Sequence, residues 1–314
     1  MPPKILVIVG PTASGKTRLA VELAHEWNGE VVSADSMQVY RRMDIGTAKP
    51  TAEEMDGIPH HMIDVADPGE DFSAARYVEM ASACVDEILA RGKLPIVAGG
   101  TGLYIDSLLS GRTFAAFSPD SPLRGELEVE LARLGGAAML AQLAQVDPET
   151  AARLHPNDHK RIVRALEVFR STGRTISQHD RETRALPPRY DALTIGLTFR
   201  ERADLWARID QRVDQMARDG LEAEVRGLLS SGLPRTCTAM QAIGYKEFVA
   251  AVDGQISWRE AEELVKLRSR QYAKRQLTWF RRREGTRWIT WEKEPDFGTA
   301  RRHSTEFIRE AGLG

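Results

Sequence analysis

An α/β fold, built on a parallel sheet and carrying a helical insertion, follows from three observations. Ile5 to Val9 is an unbroken apolar run, mostly β-branched, followed at once by Gly10 to Thr17, GPTASGKT. Such a run reads as a strand buried on both faces. Short apolar runs recur at 30–35, 94–98 and 192–199, with helix-period segments between them, as expected of strands joined by crossover helices. From about residue 112 to 187 the strands give way to leucine-rich helical patterning. The expected domains are a core of residues 1–112 and 187–314 and a helical insertion of residues 113–186.

Gly10 to Thr17 fits the spacing G-x-x-x-x-G-K-[ST] of a phosphate-binding loop. Gly10 and Gly15 allow the tight turn that points successive N–H groups at an anion. Lys16 supplies a point charge, and the Thr17 hydroxyl is placed to hold Mg²⁺. The helix that starts here adds its positive N-terminal end. A chance match in a glycine-rich turn lacks the strand before and the helix after. Gly10, Pro11, Thr12, Ala13, Ser14, Gly15, Lys16 and Thr17 are therefore the candidate residues for binding a di- or triphosphate, with Thr17 the metal ligand, in a P-loop NTPase-like sheet core.

At 314 residues with net charge −2, any nucleic-acid surface must come from local clustering of charge. Cys84 and Cys237 are isolated, which suits a reducing compartment and argues against structural zinc. No signal peptide and no run of membrane-spanning length is present. A soluble cytoplasmic protein is the expectation.

Glu30 to Asp35 reads as a second strand ending in an acid. Ligands of open α/β sheets gather at the carboxyl ends of strands, so Asp35 faces the same crevice as the phosphate loop or else caps the turn that follows; position alone leaves both readings open. Ser36 to Pro50 is an irregular polar segment of the kind that is either functional or disordered. His60 and His61, adjacent on a strand, point to opposite faces with no third ligand at suggestive spacing, so structural or substrate-lining roles outweigh metal ligation. A helix from Phe72-Ser73 to about Gly92 leads to a strand at Leu94 to Ala98, which ends in Gly99-Gly100-Thr101-Gly102. The Mg²⁺-holding aspartate usual at such a strand end is missing. The glycines are expected to admit something large against the backbone, with Thr101 offering a hydroxyl among them.

In the insertion, Ser118 to Pro122 is a turn cluster, and Leu127, Leu131, Leu134, Leu140 and Leu143 form a core stripe. In the helix over Lys160 to Ser171, Lys160, Arg161, Arg164 and Arg170 make a basic edge, by itself more often a solvated face than a nucleic-acid contact. After the strand Ala192 to Phe199, one long helix is expected from Arg202 to Ser230, with Arg208 and Arg212 on a shared face. Between Glu263 and Glu284 no acid interrupts Lys266, Arg268, Arg270, Lys274, Arg275, Arg281, Arg282 and Arg283, and Tyr272, Trp279 and Phe280 interleave. That pattern suits phosphate tracking and base stacking on looped RNA. Thr286 to Glu292 reads as a last strand, and the tail carries no signal.

Together GPTASGKT (from Gly10), ADSMQVYRRMDIGTAKP (from Ala34), PHHMID (from Pro59), GGTGLY (from Gly99), RIVRALEV (from Arg161), STGRTISQ (from Ser171), AIGYKE (from Ala242) and KRQLTWFR (from Lys274) occur in order over most of the chain. The chain thereby resembles the tRNA dimethylallyltransferase family. The resemblance implies transfer of a dimethylallyl group from its diphosphate to N6 of the adenosine at position 37, next to the anticodon, in tRNAs reading codons that begin with U. It implies catalytic roles for Asp35 as base, for Thr101 as a hydrogen-bonding partner of donor or adenine, and for Lys16 and Arg212 at the diphosphate, with Arg208 as rival to Arg212. Mg²⁺ is the implied cofactor.

The partners implied are dimethylallyl diphosphate and a tRNA anticodon stem-loop, with no membrane, and the chain is expected to be a monomer. The RNA contacts implied begin with Asp35, Ser36, Met37, Gln38 and Thr101. They continue in the insertion with Arg124, His159, Lys160, Arg161, Ile162, Val163 and Arg164. Gln241, Ala242, Ile243, Gly244, Tyr245 and Lys246 form a third group. Lys274, Arg275, Gln276, Leu277, Thr278, Trp279, Phe280 and Arg281 form the last. Three alternatives share the phosphate loop: an ATP-dependent small-molecule or nucleotide kinase, an isopentenyltransferase acting on free AMP, and an RNA-dependent ATPase module. A small substrate gives the basic-aromatic block no purpose, and the missing strand-end acid argues against the ATPase.

Overall fold

The computed structural model describes residues 2–111 and 122–313. Its chain contacts divide into two units, Met1–Leu109 with Arg189–Gly314, and Ser110–Pro188. The first unit starts with strand β1 (Lys4–Val9), helix α1 (Lys16–Glu26), β2 (Gly29–Ala34), the short α2 (Ala52–Met55) and β3 (His60–His61). It continues with α3 (Ala74–Ala90), capped by the Ser73 hydroxyl on the Arg76 N–H, then β4 (Leu94–Gly99) and α4 (Gly102–Ser110).

The second unit holds α5 (Pro122–Leu134), α6 (Gly136–Val146), α7 (Pro148–Ala151), α8 (His159–Thr172) and α9 (Ile176–Ala185). Its core is Leu127, Met139 and Leu143 against Ile162, Val163 and Leu166. The turn cluster expected at 118–122 lies outside the described residues, apart from Pro122, which opens α5.

The first unit resumes with β5 (Asp191–Phe199), α10 (Arg202–Arg218), α11 (Leu221–Ser230), α12 (Tyr245–Val252), α13 (Trp258–Phe280), β6 (Arg287–Trp291) and α14 (Phe297–Glu310). Its six strands form one parallel sheet in the order β3-β2-β4-β1-β5-β6. Alternation along β1 sends Ile5, Val7 and Val9 into one core, with Tyr77 and Val85 of α3, and Leu6 and Ile8 into another, with Leu19 and Leu23 of α1. Both sheet faces are thus covered, which is why β1 carries no polar alternation. The register places Val9, Ala34 and Gly99 side by side at the carboxyl ends of β1, β2 and β4, and the crevice opens there.

One expectation is corrected, and two elements gain bounds that the sequence left open. The helix from Arg202 to Ser230 is two helices, because Gly220 takes φ +102° and turns the chain between α10 and α11. The basic-aromatic helix begins well before Leu264, at Trp258, where Ser257 and Glu260 form a capping box. The tail holds α14, capped by Asp296. Among the described residues, no helix is long and apolar enough to cross a membrane.

Candidate active site

The phosphate loop bridges β1 and α1 and is held from behind. Gly15 sits at φ +88°, and a Cβ there would lie 2.7 Å from the Phe297 ring. The Trp291 indole N–H donates to the Ser14 carbonyl at 2.9 Å. On the other side, the Thr12 N–H donates to Gln276 Oε1 at 2.9 Å, and Gln276 Nε2 donates to the Gly100 carbonyl at 3.0 Å. One buried amide therefore ties the loop to the end of β4.

The protein itself approaches the Gly99–Gly102 run closely, while Gly99 and Gly100 also line the cavity beside the phosphate loop. A Cβ at Gly99 would meet the Ala34 carbonyl at 2.2 Å, one at Gly100 the Gln276 amide at 2.1 Å, and one at Gly102 the Trp279 indole at 2.3 Å. What approaches this backbone is β2 and α13, so the glycines serve the protein's own packing.

A cavity of about 340 Å³ opens beside the loop. It gathers Thr12, Lys16, Thr17, Asp35, Ser36, Met37, Gln38, Arg212, Gln241, Ala242, Ile243, Arg275 and Gln276, residues that sequence reasoning put at the site. Lys16 Nζ donates to the Pro11 carbonyl at 2.7 Å. Burial, and then the nearby Arg212 guanidinium, pull its ammonium down to about 7, with Asp35 opposing. Burial also lowers Arg212, again against Asp35. Two cations and one carboxylate thus share a confined space, an arrangement that favours an anion carrying more than one charge.

Asp35 follows β2 directly. Its Oδ1 accepts from the N–H groups of Met37 at 2.8 Å and Gln38 at 3.3 Å, so it caps the turn and lines the cavity at once. Among the described residues its Oδ2 takes no hydrogen bond, leaving an oxygen able to accept a proton. Thr101 Oγ1 accepts from the Ser36 N–H at 3.1 Å and also bonds the Tyr272 hydroxyl, whose own pKa burial pushes up to about 12. Thr101 is not itself among the residues lining the cavity; its partners Ser36 and Tyr272 are. Arg212 Nη2 donates to the Ala48 carbonyl at 3.3 Å, whereas Arg208 Nε donates to the Ala13 carbonyl at 3.3 Å behind the loop. Only Arg212 lines the cavity.

The cavity also has apolar lining: Ile209, Val213 and Met216, beside Arg212 on α10, and Val265 of α13. These, with Tyr272, Gly46, Thr47 and Ala48, were missed as lining; the helix-period stripes of α10 and α13 signal burial but do not say against what.

The RNA-contact residues divide by exposure. Lys274, Arg275, Thr278 and Trp279 of α13 are exposed, as are Arg281 just beyond its end, Gln241 and Lys246 and, in the second unit, His159, Lys160 and Arg161. Arg164 pairs with Glu167 at 2.9 Å, and Arg124 reaches the same carboxylate at 3.8 Å. Five side chains are corrected: Ile162, Val163, Tyr245 and Phe280 are core residues, and Gln276 spends its amide on Thr12 and Gly100. The four core side chains hold their helices in place, and Gln276 also lines the cavity. Leu277 is partly buried against the sheet core and Gly244 is buried at the start of α12.

A buried parallel sheet with a phosphate loop, a pair of cations and an acid at its carboxyl edge defines a phosphate-loop enzyme fold acting on an anionic substrate. A family model for IPP transferases matches residues 38–283. Curated relatives include tRNA dimethylallyltransferases of Geobacter sulfurreducens, 51% identical, and Acetivibrio thermocellus, 49% identical, each aligned over 91% of both chains. Among solved structures, the tRNA isopentenylpyrophosphate transferase of Bacillus halodurans matches with TM-score 0.72 and 42% identity, over 99% of this chain and 98% of that one. A eukaryotic dimethylallyltransferase acting on tRNA matches with TM-score 0.81 and 29% identity, over 98% and 80%. The chain belongs to the IPP transferase family.

Proposed function

We propose that this enzyme, acting as a cytoplasmic monomer, transfers the dimethylallyl group of dimethylallyl diphosphate to N6 of the adenosine at position 37 in tRNAs reading codons that begin with U, releasing diphosphate. The observation that carries the reading is one cavity lined both by the charged Lys16, Arg212 and Asp35 and by the apolar Ile209, Val213 and Met216. A donor with a charged head and a short apolar tail matches both halves.

Lys16, Arg212 and the loop N–H groups stabilise charge growing on the departing diphosphate, usually the largest catalytic contribution. The adenine N6 amine is a poor nucleophile, so the unengaged oxygen of Asp35 accepts its proton as the C–N bond forms. Thr101, held by Ser36 and Tyr272, orients donor or base by hydrogen bond. The donor set fits Mg²⁺ that arrives with the diphosphate: the Thr17 hydroxyl lines the cavity, and among the described residues no cluster of three His, Cys, Asp or Glu cages an ion. Such an ion takes most of its oxygens from phosphate and water, and when bound it supplies charge neutralisation to the leaving group.

The adenosine must leave its stack, at a cost of a few kcal/mol. The exposed side chains of α13 (Lys274, Arg275, Thr278 and Trp279) and Arg281, with Ser36 to Gln38, Gln241 to Gly244 and Lys246, supply contacts that offset it. Arg124, His159, Lys160, Arg161 and Arg164 do so from the second unit. The test is a transfer assay with labelled dimethylallyl diphosphate, Mg²⁺ and unmodified tRNA, run beside AMP as acceptor and ATP as donor. Label in tRNA alone is expected. Label in AMP, or phosphate moving from ATP, overturns the reading.

A further inference from the structure

We propose that Glu224 is a positioning residue for the diphosphate site, acting through residues 44–48 on Arg212; this rests on reading the cavity as a diphosphate site. Glu224 lies on α11, the helix set off by the Gly220 turn. Its Oε2 accepts from the N–H groups of Asp44 and Ile45, both at 2.8 Å. Its Oε1 accepts from the Gly46 N–H at 3.0 Å and the Tyr245 hydroxyl at 2.6 Å. Three successive backbone N–H groups turned on one carboxylate form an anion nest, here filled by the protein's own side chain. Gly46 lets the clasp close, since a Cβ there would lie 2.5 Å from the Tyr245 ring.

Two residues beyond the clasp, the Ala48 carbonyl accepts from Arg212 Nη2 at 3.3 Å and from Gln38 Nε2 at 3.2 Å. Among the described residues it is the one hydrogen-bond acceptor of Arg212. The aim of a long, buried cation therefore depends on where Ala48 sits, and the clasp fixes that. The same carboxylate also holds the first residue of α12, just after Gln241 to Ile243. Glu224 so joins two cavity walls, 46–48 and 241–243, that are remote in sequence.

A scaffold role alone lowers stability without a specific link to Arg212. The readout that separates the two is Mg²⁺-supported binding of inorganic pyrophosphate to the full chain, in a double-mutant cycle of Glu224→Gln with Arg212→Ala. Glu224→Gln is expected to weaken binding about tenfold in the wild-type background and by less than about twofold beside Arg212→Ala. Glu222→Gln, on the same helix but bonded among the described residues to Arg226 alone, is expected to match wild type. If Glu224→Gln does not fold, Tyr245→Phe replaces it, with a loss of about threefold that vanishes in the Arg212→Ala background. Wild-type affinity in the variant, or losses that add, overturns the proposal. Failure of the wild-type chain to bind pyrophosphate overturns the diphosphate reading beneath it instead.

Discussion

Two loops line the cavity and differ in how much charge holds them. The phosphate loop is short, runs from a strand directly into a helix, and is backed by packing: the Phe297 ring on Gly15, the Trp291 indole on Ser14 and the Gln276 amide on Thr12. The segment from Ser36 to Pro50 has no helix or strand of its own. Val39, Tyr40 and Met43 anchor its first half in the core, and its remaining turns are held by charge: Glu224 on three N–H groups, and Lys49 between Asp44 at 2.5 Å and Asp64 at 2.6 Å. The first loop can be built from contiguous residues because its own N–H groups make the anion site. The second needs counter-charges from elsewhere, since a loop without a ladder leaves backbone groups to be satisfied by side chains.

Removing the charge of the first loop should have the largest effect. Lys16→Ala is expected to cut transfer about 10³-fold with the fold intact, as loss of a preorganised stabilising charge does; steady-state turnover beside a circular dichroism spectrum checks it. Removing the packing behind that loop should read out as stability. Trp291→Ala, at a side chain only 2% exposed, should cost about 3–5 kcal/mol in urea unfolding. Loosening the second loop should cost far less: Lys49→Met leaves two half-exposed acids that water can solvate, so about 1 kcal/mol is expected. Equal losses at Trp291 and Lys49 would erase the contrast between the loops.

Glu30, at the far end of β2 from Asp35, gives a pH test of charge pairing away from the cavity. Burial alone would raise its carboxyl, but His61, Lys93 and Arg91 hold it down at about 2. Because the folded value is depressed, its contribution of about 3 kcal/mol is complete above its ordinary range and is lost as pH falls through about 4.5 to 2. The stability gap between wild type and Glu30→Gln should therefore close over that acid window. The smallest effect expected is on RNA: Lys274→Ala with Arg275→Ala should flatten the salt dependence of tRNA binding by about one unit of slope per lost phosphate contact. A wild-type slope would place both side chains away from the RNA.

What was legible in the sequence follows the same division. The phosphate loop was readable because its strand, glycines, Lys16 and Thr17 are contiguous, and the basic face of α13 because charge clusters along one helix. Periodicity put Arg208 and Arg212 on one face but could not separate them, since only the packing of α10 decides which turn meets Ala13 and which meets Ala48. The roles of Gln276 and Glu224 were hidden because their partners lie 264 and about 180 residues away. Two missed features did carry local signals: the Ser257–Glu260 capping box that starts α13, and Gly220, which parts α10 from α11.

The chemistry itself turns on Asp35. Single-turnover transfer from dimethylallyl diphosphate to unmodified tRNA should be measured for Asp35→Ala, with equilibrium tRNA binding alongside. A rate lower by about 10²-fold or more with tRNA affinity within severalfold of wild type is the result expected for loss of a general base. Transfer at the wild-type rate would remove Asp35 from the reaction.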